Sequence, residues 1–290
     1  VSLGDDGETP TGTSPEVYIG GDATVWNAGY NRGTGGAFTM TGAVTNCATS
    51  PYVNNYSLTF DGVDEFVETT NSEMSFFSGA STMTWSMWVN HVVVPSGASV
   101  YSYMGVSGPG SGASTRFLLY RFGTNTYVEI GSGNNNLYNN TKWAPSTSQW
   151  YHLCVVYDGA QTGTAKIKFY VDGSLLTIST SGGTLPATLP SWTTQTIAIN
   201  DYEDIRQSIF NIKVDEVSVF SQALSGAEVT TLYNTGIPSN LSTYTYTPRH
   251  LWRMGDGATY STQWTIPDEQ GNGDFTSSNM ESGDRTTDAA

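Results

Sequence analysis

Charge is what this sequence has least of. Only 13% of its 290 residues are Asp, Glu, Lys or Arg, against about 25% in an ordinary soluble domain. Bases are the scarcer sign: 11 of them face 26 acids, for a formal charge of −15, and lysine occurs only at Lys142, Lys166, Lys168 and Lys213. So few scattered bases cannot build a basic face, which argues against a nucleic-acid binder. A helical bundle would need Ala, Leu, Glu and Lys in bulk, and that mixture is missing. Long apolar runs are also lacking, so no membrane-spanning helix and no membrane insertion are expected. The start, Val1-Ser2-Leu3-Gly4-Asp5-Asp6, has neither the basic nor the apolar region of a signal peptide. A leader already removed, or release by lysis or in a particle, is therefore expected. Cysteine appears only at Cys47 and Cys154. Cys154 lies in the apolar run Trp150–Tyr157 and reads as a buried free thiol, with a disulfide to Cys47 as the alternative.

Aromatics and small polar residues fill the space. Aromatics are 12% of the chain, and 32 glycines mark frequent turns. That many rings are incompatible with disorder. Residues 1–16 have no hydrophobic period and read as an irregular arm. From Val17 onward, short β-type runs alternate with Gly, Asn, Ser and Pro clusters. Met83, Trp85, Met87 and Val89 face one side with Thr84 and Ser86 on the other, the two-residue period of a half-buried strand. Lys166–Val171 repeats the pattern and runs into Asp172-Gly173, a hairpin signal. Phe210, Ile212 and Val214 alternate, but Val217 and Val219 take the opposite parity, so a bulge or crossover is expected near Asp215. One helix is predicted, opened by the capping-box spacing of Ser225 and Glu228 and stopped by Gly236 and Pro238. Many short strands with one late helix predict an all-β antiparallel sandwich.

An echo joins the two ends of the chain. Trp26 precedes Gly33-Thr34-Gly35 and Phe38-Thr39, and Trp264 precedes Gly271-Asn272-Gly273 and Phe275-Thr276 at the same spacing. The second copy is too short to bury a core alone. The expected organisation is an arm at 1–16, a sandwich at 17–239 and an extension at 240–290 echoing 21–39. That extension would pack on the sandwich or on a neighbouring subunit, where it would complete a sheet as a donor strand.

Five segments resemble the concanavalin A-like lectin/glucanase superfamily in its laminin-G-like, pentraxin-like branch. They are Ser57–Val67, Thr84–Val89, Trp150–Leu153, Lys168–Gly173 and Val214–Tyr233, which span roughly 55–236 in the right order. The resemblance implies a jelly-roll sandwich with N- and C-terminal extensions. The tail, Leu251–Gly257 through Ile266-Pro267-Asp268 to Asn279–Asp284, is similar to endings of laminin-G-like proteins in tailed viruses of marine bacteria. Many of those are virion-associated structural proteins.

Catalytic constellations fall short. Glycosidases of this fold carry carboxylates in a Glu-x-Asp-x-x-Glu order. In Asp61–Glu68, Gly62 stands where the first Glu belongs and Glu68 is out of step, so Asp61-Gly62 reads as a turn. Asp215-Glu216 is a candidate dyad beside the bulge and reads as structural. His91, His152 and His250 are the only histidines; His152 shares a strand face with Trp150 and Cys154 and reads as a hydrogen-bonded core residue. No nucleophile elbow or phosphate loop occurs. The expectation is no enzyme.

Two segments have the composition of lectin loops, where rings stack on sugar faces and amides or acids bond hydroxyls, with or without calcium. In Asn134–Trp143, the glycan-binding candidates are Asn135, Asn136, Tyr138, Asn139 and Trp143, joined by Tyr202. In the second, Asn200, Asp201, Glu203 and Asp204 are candidate calcium ligands around Tyr202. A solvated turn is the alternative for each. The function expected is a non-enzymatic, virion-associated structural or assembly protein of the head-decoration or fibre type, with a glycan-binding surface. Its partners would be copies of itself, other particle proteins or cell-surface glycans, on a virion surface or outside the cell. A secreted carbohydrate-binding adhesin is the alternative, and a glycoside hydrolase the third.

Overall fold

Period-two segments can bury one face only by pairing into sheets, and here they form two. The computed structural model describes residues 53–112, 114–131, 137–141, 143–177, 179–181, 184–202, 209–241 and 244–290. The arm expected at 1–16, the first copy of the echo and Cys47 lie outside these residues. The first strands are β1 (Ser57–Asp61), β2 (Phe66–Thr69), β3 (Thr82–His91), β4 (Val100–Ser107), β5 (Phe117–Phe122) and β6 (Asn125–Ile130). They continue with β7 (Leu137–Thr141), β8 (Trp150–Asp158), β9 (Ile167–Val171), β10 (Ser174–Leu175), β11 (Ser179–Ser181), β12 (Thr196–Ile199) and β13 (Asn211–Phe220). After helix α1 (Gly226–Tyr233) come β14 (His250–Trp252), β15 (Thr259–Tyr260), β16 (Trp264–Ile266), β17 (Phe275–Ser278) and β18 (Arg285–Thr286).

One sheet has eight strands, ordered β10-β9-β8-β3-β13-β1-β18 with β14 also on β13; the other has ten, ordered β11-β7-β6-β5-β4-β12-β2-β17-β16-β15. The strands at all four ends, β10, β18, β11 and β15, are two or three residues long. Such short edges leave little ladder for unwanted pairing.

The core lies between the sheets. Met83, Trp85, Met87 and Val89 of β3 enter it, as do Leu153, Val155 and Tyr157 of β8. They meet Tyr103, Phe117, Leu119 and Ile197 from the ten-stranded sheet, with Trp85 and Phe117 at 4.6 Å between ring centroids. The expected parity slip is a bulge: the β3–β13 register shifts between Asp215 and Ser218, and Glu216 sits at φ 44°. The hairpin signal also holds, with Asp172 at φ 50° and Gly173 at φ 71° between β9 and β10, the paired positive angles of a type I′ turn.

The outer face of the eight-stranded sheet has its own cover. Helix α1 opens with the expected capping box: Ser225 N donates to Glu228 Oε2 (2.6 Å), and Glu228 N to Ser225 Oγ (3.3 Å). Its Val229 and Leu232 pack with Cys154, Val156, Tyr170 and Phe220 in a second apolar cluster. Cys154 is a free, buried thiol there, and burial pushes its pKa up.

Residues 240–290 supply strands to both sheets of their own chain. β14 pairs with β13, β17 with β2 and β18 with β1. A donor-strand role for this segment therefore loses β14 and β17, which are engaged in cis. Asp268 organises its central turn. Its Oδ2 accepts from His250 Nδ1 (2.8 Å), Asn272 N (3.1 Å) and Gly273 N (3.1 Å); its Oδ1 accepts from Leu251 N (2.9 Å) and Gln270 N (3.0 Å). Burial would raise this carboxyl, but His250 and the backbone donors outweigh it and hold it below the usual range. The Gly271-Asn272-Gly273 of the echo thus serves an anion-centred turn that seats β14 and β17. Asp268→Ala would strand buried donors at about 1–3 kcal/mol each when left dry. A loss of about 3 kcal/mol or more in urea-unfolding free energy is expected.

Candidate functional site

The face of the ten-stranded sheet turned away from the core carries a cluster of rings and one ion pair. Strand alternation puts it there: Phe117 and Leu119 of β5 and Val128 and Ile130 of β6 enter the core, so Tyr120, Tyr127 and Glu129 face outward. Tyr120 and Tyr127 are direct ladder partners, and their rings stack at 5.0 Å with 13° between planes. Arg116 Nη1 meets Glu129 Oε1 at 2.6 Å. The Tyr120 hydroxyl bonds Glu129, and burial followed by that carboxylate pushes its pKa up. The Arg116 guanidinium lies 6.0 Å from the Tyr202 ring centroid.

Tyr202 reaches this face because the residues before it are pinned. The Asn200 side chain donates to the carbonyls of Glu65 and Phe210 (both 3.1 Å) and accepts from Phe210 N (2.8 Å). Asp201 Oδ2 accepts from Ser107 Oγ (2.9 Å), and its carbonyl from Ser102 Oγ (3.2 Å). Gly105 of β4 completes the seat, since a Cβ there would fall 2.9 Å from both Leu118 Cδ1 and Tyr202 Cβ.

The sequence candidates are distributed differently from expectation. Residues 137–141 are strand β7, so Asn134–Trp143 is not one loop. A five-residue strand separates its ends by about 17 Å. Trp143 joins the core aromatics, at 5.9 Å from His91, 5.2 Å from Tyr151 and 6.3 Å from Phe169. Tyr138 stands opposite Glu129 in the ladder, and Asn139 opposite Val128. Asn135, Asn136, Glu203 and Asp204 lie outside the described residues. Asn200 and Asp201 do not fit as calcium ligands: the amide is spent on backbone groups, and Asp201 is only 2% exposed. Among the described residues, no group of three or more His, Cys, Asp or Glu is arranged to hold a metal ion. Sequence reasoning found Tyr202 but missed Arg116, Tyr120, Tyr127 and Glu129. Their only signal was the outward parity of two adjoining strands.

A family model described as the concanavalin A-like lectin/glucanases superfamily matches residues 61–230. The chain belongs to that superfamily. No curated protein matches the sequence. Among solved structures, a "putative carbohydrate binding protein" from Bacteroides ovatus is 14% identical with a TM-score of 0.56; the match covers 82% of this chain and 61% of that one. A heptameric SAP-like pentraxin from Limulus polyphemus is 15% identical with a TM-score of 0.48, covering 63% and 84%. A botulinum neurotoxin type C chain, from a study of its cell entry through two ganglioside molecules, is 18% identical with a TM-score of 0.47, covering 66% and 45%. The chain thus spans less than two thirds of the Bacteroides and toxin chains, and these likenesses concern fold alone.

The superfamily's glucanases need paired carboxylates, and the acids of the two candidate runs, Asp61–Glu68 and Asp215-Glu216, include several engaged within the fold. Asp61 Oδ1 accepts from Val63 N (2.8 Å) in the β1–β2 turn. Glu65 Oε2 accepts from Asp61 N (2.5 Å), Glu65 is 3% exposed, and its carboxyl bonds that of Asp284. Glu68 Oε2 accepts from Thr196 Oγ1 (3.1 Å). Asp215 is buried in the bulge, where desolvation and then the Glu216 charge raise its pKa. Glu216 pairs with Arg253 at 3.0 Å.

The histidines are equally enclosed. Ser86 Oγ and His152 Nε2 are 2.7 Å apart, but His152 is 1% exposed. With Trp88, Glu216, Ser218 and Leu232 they line a cavity of about 10 Å³, room for one water rather than an acyl group. His91 Nε2 lies 2.9 Å from the Tyr103 hydroxyl inside the core.

Burial pushes His91 and His152 down to about 3. It pushes Glu65 up to about 8, with the Asp284 and Asp61 charges adding. The unfolded chain takes up histidine protons near pH 6.5 that the folded chain refuses until about 3, so stability falls as pH drops through that window. Glu65 acts oppositely: the unfolded chain ionises it near 4.5, so its contribution is lost as pH rises to about 8. In thermal melts, Glu65→Gln is expected to flatten the decline of Tm above pH 5 while leaving the acid decline unchanged.

Proposed function

We propose that this chain is a non-catalytic carbohydrate-binding protein that holds neutral glycans on Tyr127, Tyr202 and Arg116, a platform backed by the buried Tyr120 and Glu129. One observation carries the reading: on an antiparallel sheet face, a stacked tyrosine pair and a third tyrosine surround an Arg–Glu pair at 2.6 Å. Tyr120 and Glu129 are 8% and 4% exposed and back the platform, while the half-buried Tyr127 and Tyr202 rings offer flat apolar surface to the CH face of a pyranose and the Arg116 guanidinium bonds its hydroxyls. Ligand neutrality follows from charge. Arg116 is already matched by Glu129, and a chain at −15 repels anionic sugars at long range. The description of the Bacteroides relative as carbohydrate-binding is in keeping with this use of the fold. Display outside the cell or on a particle surface belongs to the same reading; among the described residues no helix is long and apolar enough to cross a membrane.

The second reading is a structural protein of a virion. Its sequence support is the resemblance of the tail and the shortage of catalytic constellations, and it is compatible with a glycan-binding face. Calcium enters only as a variable to be tested, since Asn200 and Asp201 spend their oxygens within the protein.

A glycan array run with and without calcium tests the proposal. Binding to neutral oligosaccharides is expected in both conditions, and Tyr127→Ala and Tyr202→Ala should each weaken it by about tenfold, the size of one aromatic contact. Silence in both conditions, or hydrolysis of an arrayed glycan lost in Glu65→Gln or Glu68→Gln, would overturn it.

A further inference from the structure

The outer face of the eight-stranded sheet has a polar row that is neither under α1 nor part of the glycan platform. Thr59 of β1 pairs with Lys213 of β13, Lys213 with Asn90 of β3, and Asn90 with Trp150 of β8. The four residues therefore stand side by side across four strands. Residues 285–290 of the same chain lie across this row as a strap.

The strap is read in two ways at once. Its backbone is read first: Arg285 and Thr286 pair with Leu58 and Ser57 as β18. Ser57 Oγ then donates to the carbonyl of Asp288 (2.6 Å), Asn54 Nδ2 to that of Ala290 (3.2 Å), and Ala290 N to Asp215 Oδ2 (3.0 Å). Its one acid is read second, because the Asp288 carboxylate meets Lys213 Nζ and accepts from Trp150 Nε1 (3.2 Å). Ladder pairing plus side-chain pockets is the logic of strand addition.

We infer that this row is a docking site for an extended segment that places one carboxylate against Lys213, filled in cis by residues 285–290 and filled in trans by the same segment of a second copy. The cis strap is held mainly by side chains, and its regular pairing is short. Its ladder is two residues long, and the Asp288 and Lys213 side chains are 47% and 23% exposed, where an ion pair contributes little. Charge supports the choice of occupant: Lys213 is one of four lysines in a chain at −15, and the strap brings it a carboxylate. Exchange of the strap would unpair only the two-residue β18 at the sheet edge, since β14 and β17 stay paired in cis. The inference does not depend on the glycan platform.

Complementation tests it in the 290-residue chain. Asp288→Ala cripples the strap and leaves the site; Lys213→Ala cripples the site and leaves the strap. Both positions are partly exposed, so both variants should melt within a few degrees of wild type. Analytical ultracentrifugation should find each variant alone monomeric and an equimolar mixture with a dimer fraction about tenfold higher. A fluorescent, amidated peptide spanning residues 284–290 should bind Asp288→Ala, and at least tenfold more weakly the double variant with Lys213→Ala. A mixture no more dimeric than its components overturns the inference, even if the peptide binds. Peptide binding indifferent to Lys213→Ala, or absent altogether, overturns it as well.

Discussion

The bulge in β13 is the constraint from which the eight-stranded sheet follows. On one edge β13 runs the length of β3; on the other it pairs with β1 through Asn211–Val214 and with β14 through Val217–Val219. Two strands from opposite ends of the described chain share that edge, one on each side of the bulge at which β13 shifts register against β3. The inserted residue restores parity, so Ile212 and Val214 before it and Val217 and Val219 after it all enter the same core. Glu216 accepts an unfavourable φ of 44° to make this possible, and its ion pair with Arg253, the residue after β14, holds the turn of the backbone. Asp215, swung outward beside it, becomes the anchor for Asn54 and Ala290. A pair of acids that resembles a catalytic dyad on paper is thus the joint between the two ends of the fold.

The same sheet shows how a low-charge β protein manages an outer face. One part lies beneath α1, sealed by Cys154, Val156, Phe220, Val229 and Leu232. The middle is a polar seam of Ser86, His152, Glu216 and Ser218 around a one-water cavity. The remainder is crossed by residues 285–290. Buried histidine and buried carboxyl make opposite demands on pH, the first growing as pH falls below about 6.5 and the second as it rises above about 4.5. The ten-stranded sheet solves its outer face with tyrosines and an Arg–Glu pair, which leaves recognisable chemistry rather than an apolar patch.

Much of the fold was legible in the sequence because its signals are local. Period two along 83–89, the parity slip at 215, Asp172-Gly173 and the Ser225–Glu228 box each depend on residues within a turn or a strand of one another. Composition carried the rest: scarce charge and abundant Thr, Ser and Asn suit strand faces and turns. The expected sites were less legible. Asn134–Trp143 looked like one recognition loop because amides and rings cluster there in sequence, but β7 runs through it and Trp143 turns into the core. The acidic run at 200–204 looked like ligands, yet Asn200 is a buried lock on Phe210.

By itself, the sequence determined a charge-poor β-sandwich of its superfamily with a capped helix after its longest late strand. Those properties reside in composition, short-range periodicity and motif order. Only the tertiary structure decided which polar residues meet. Arg116 and Glu129 are 13 residues apart, Tyr202 comes from a distant loop, and Asp288 reaches Lys213 across 75 positions. Strand order and register bring them together, and those are set by burial of whole sheet faces rather than by any signal beside the residues themselves.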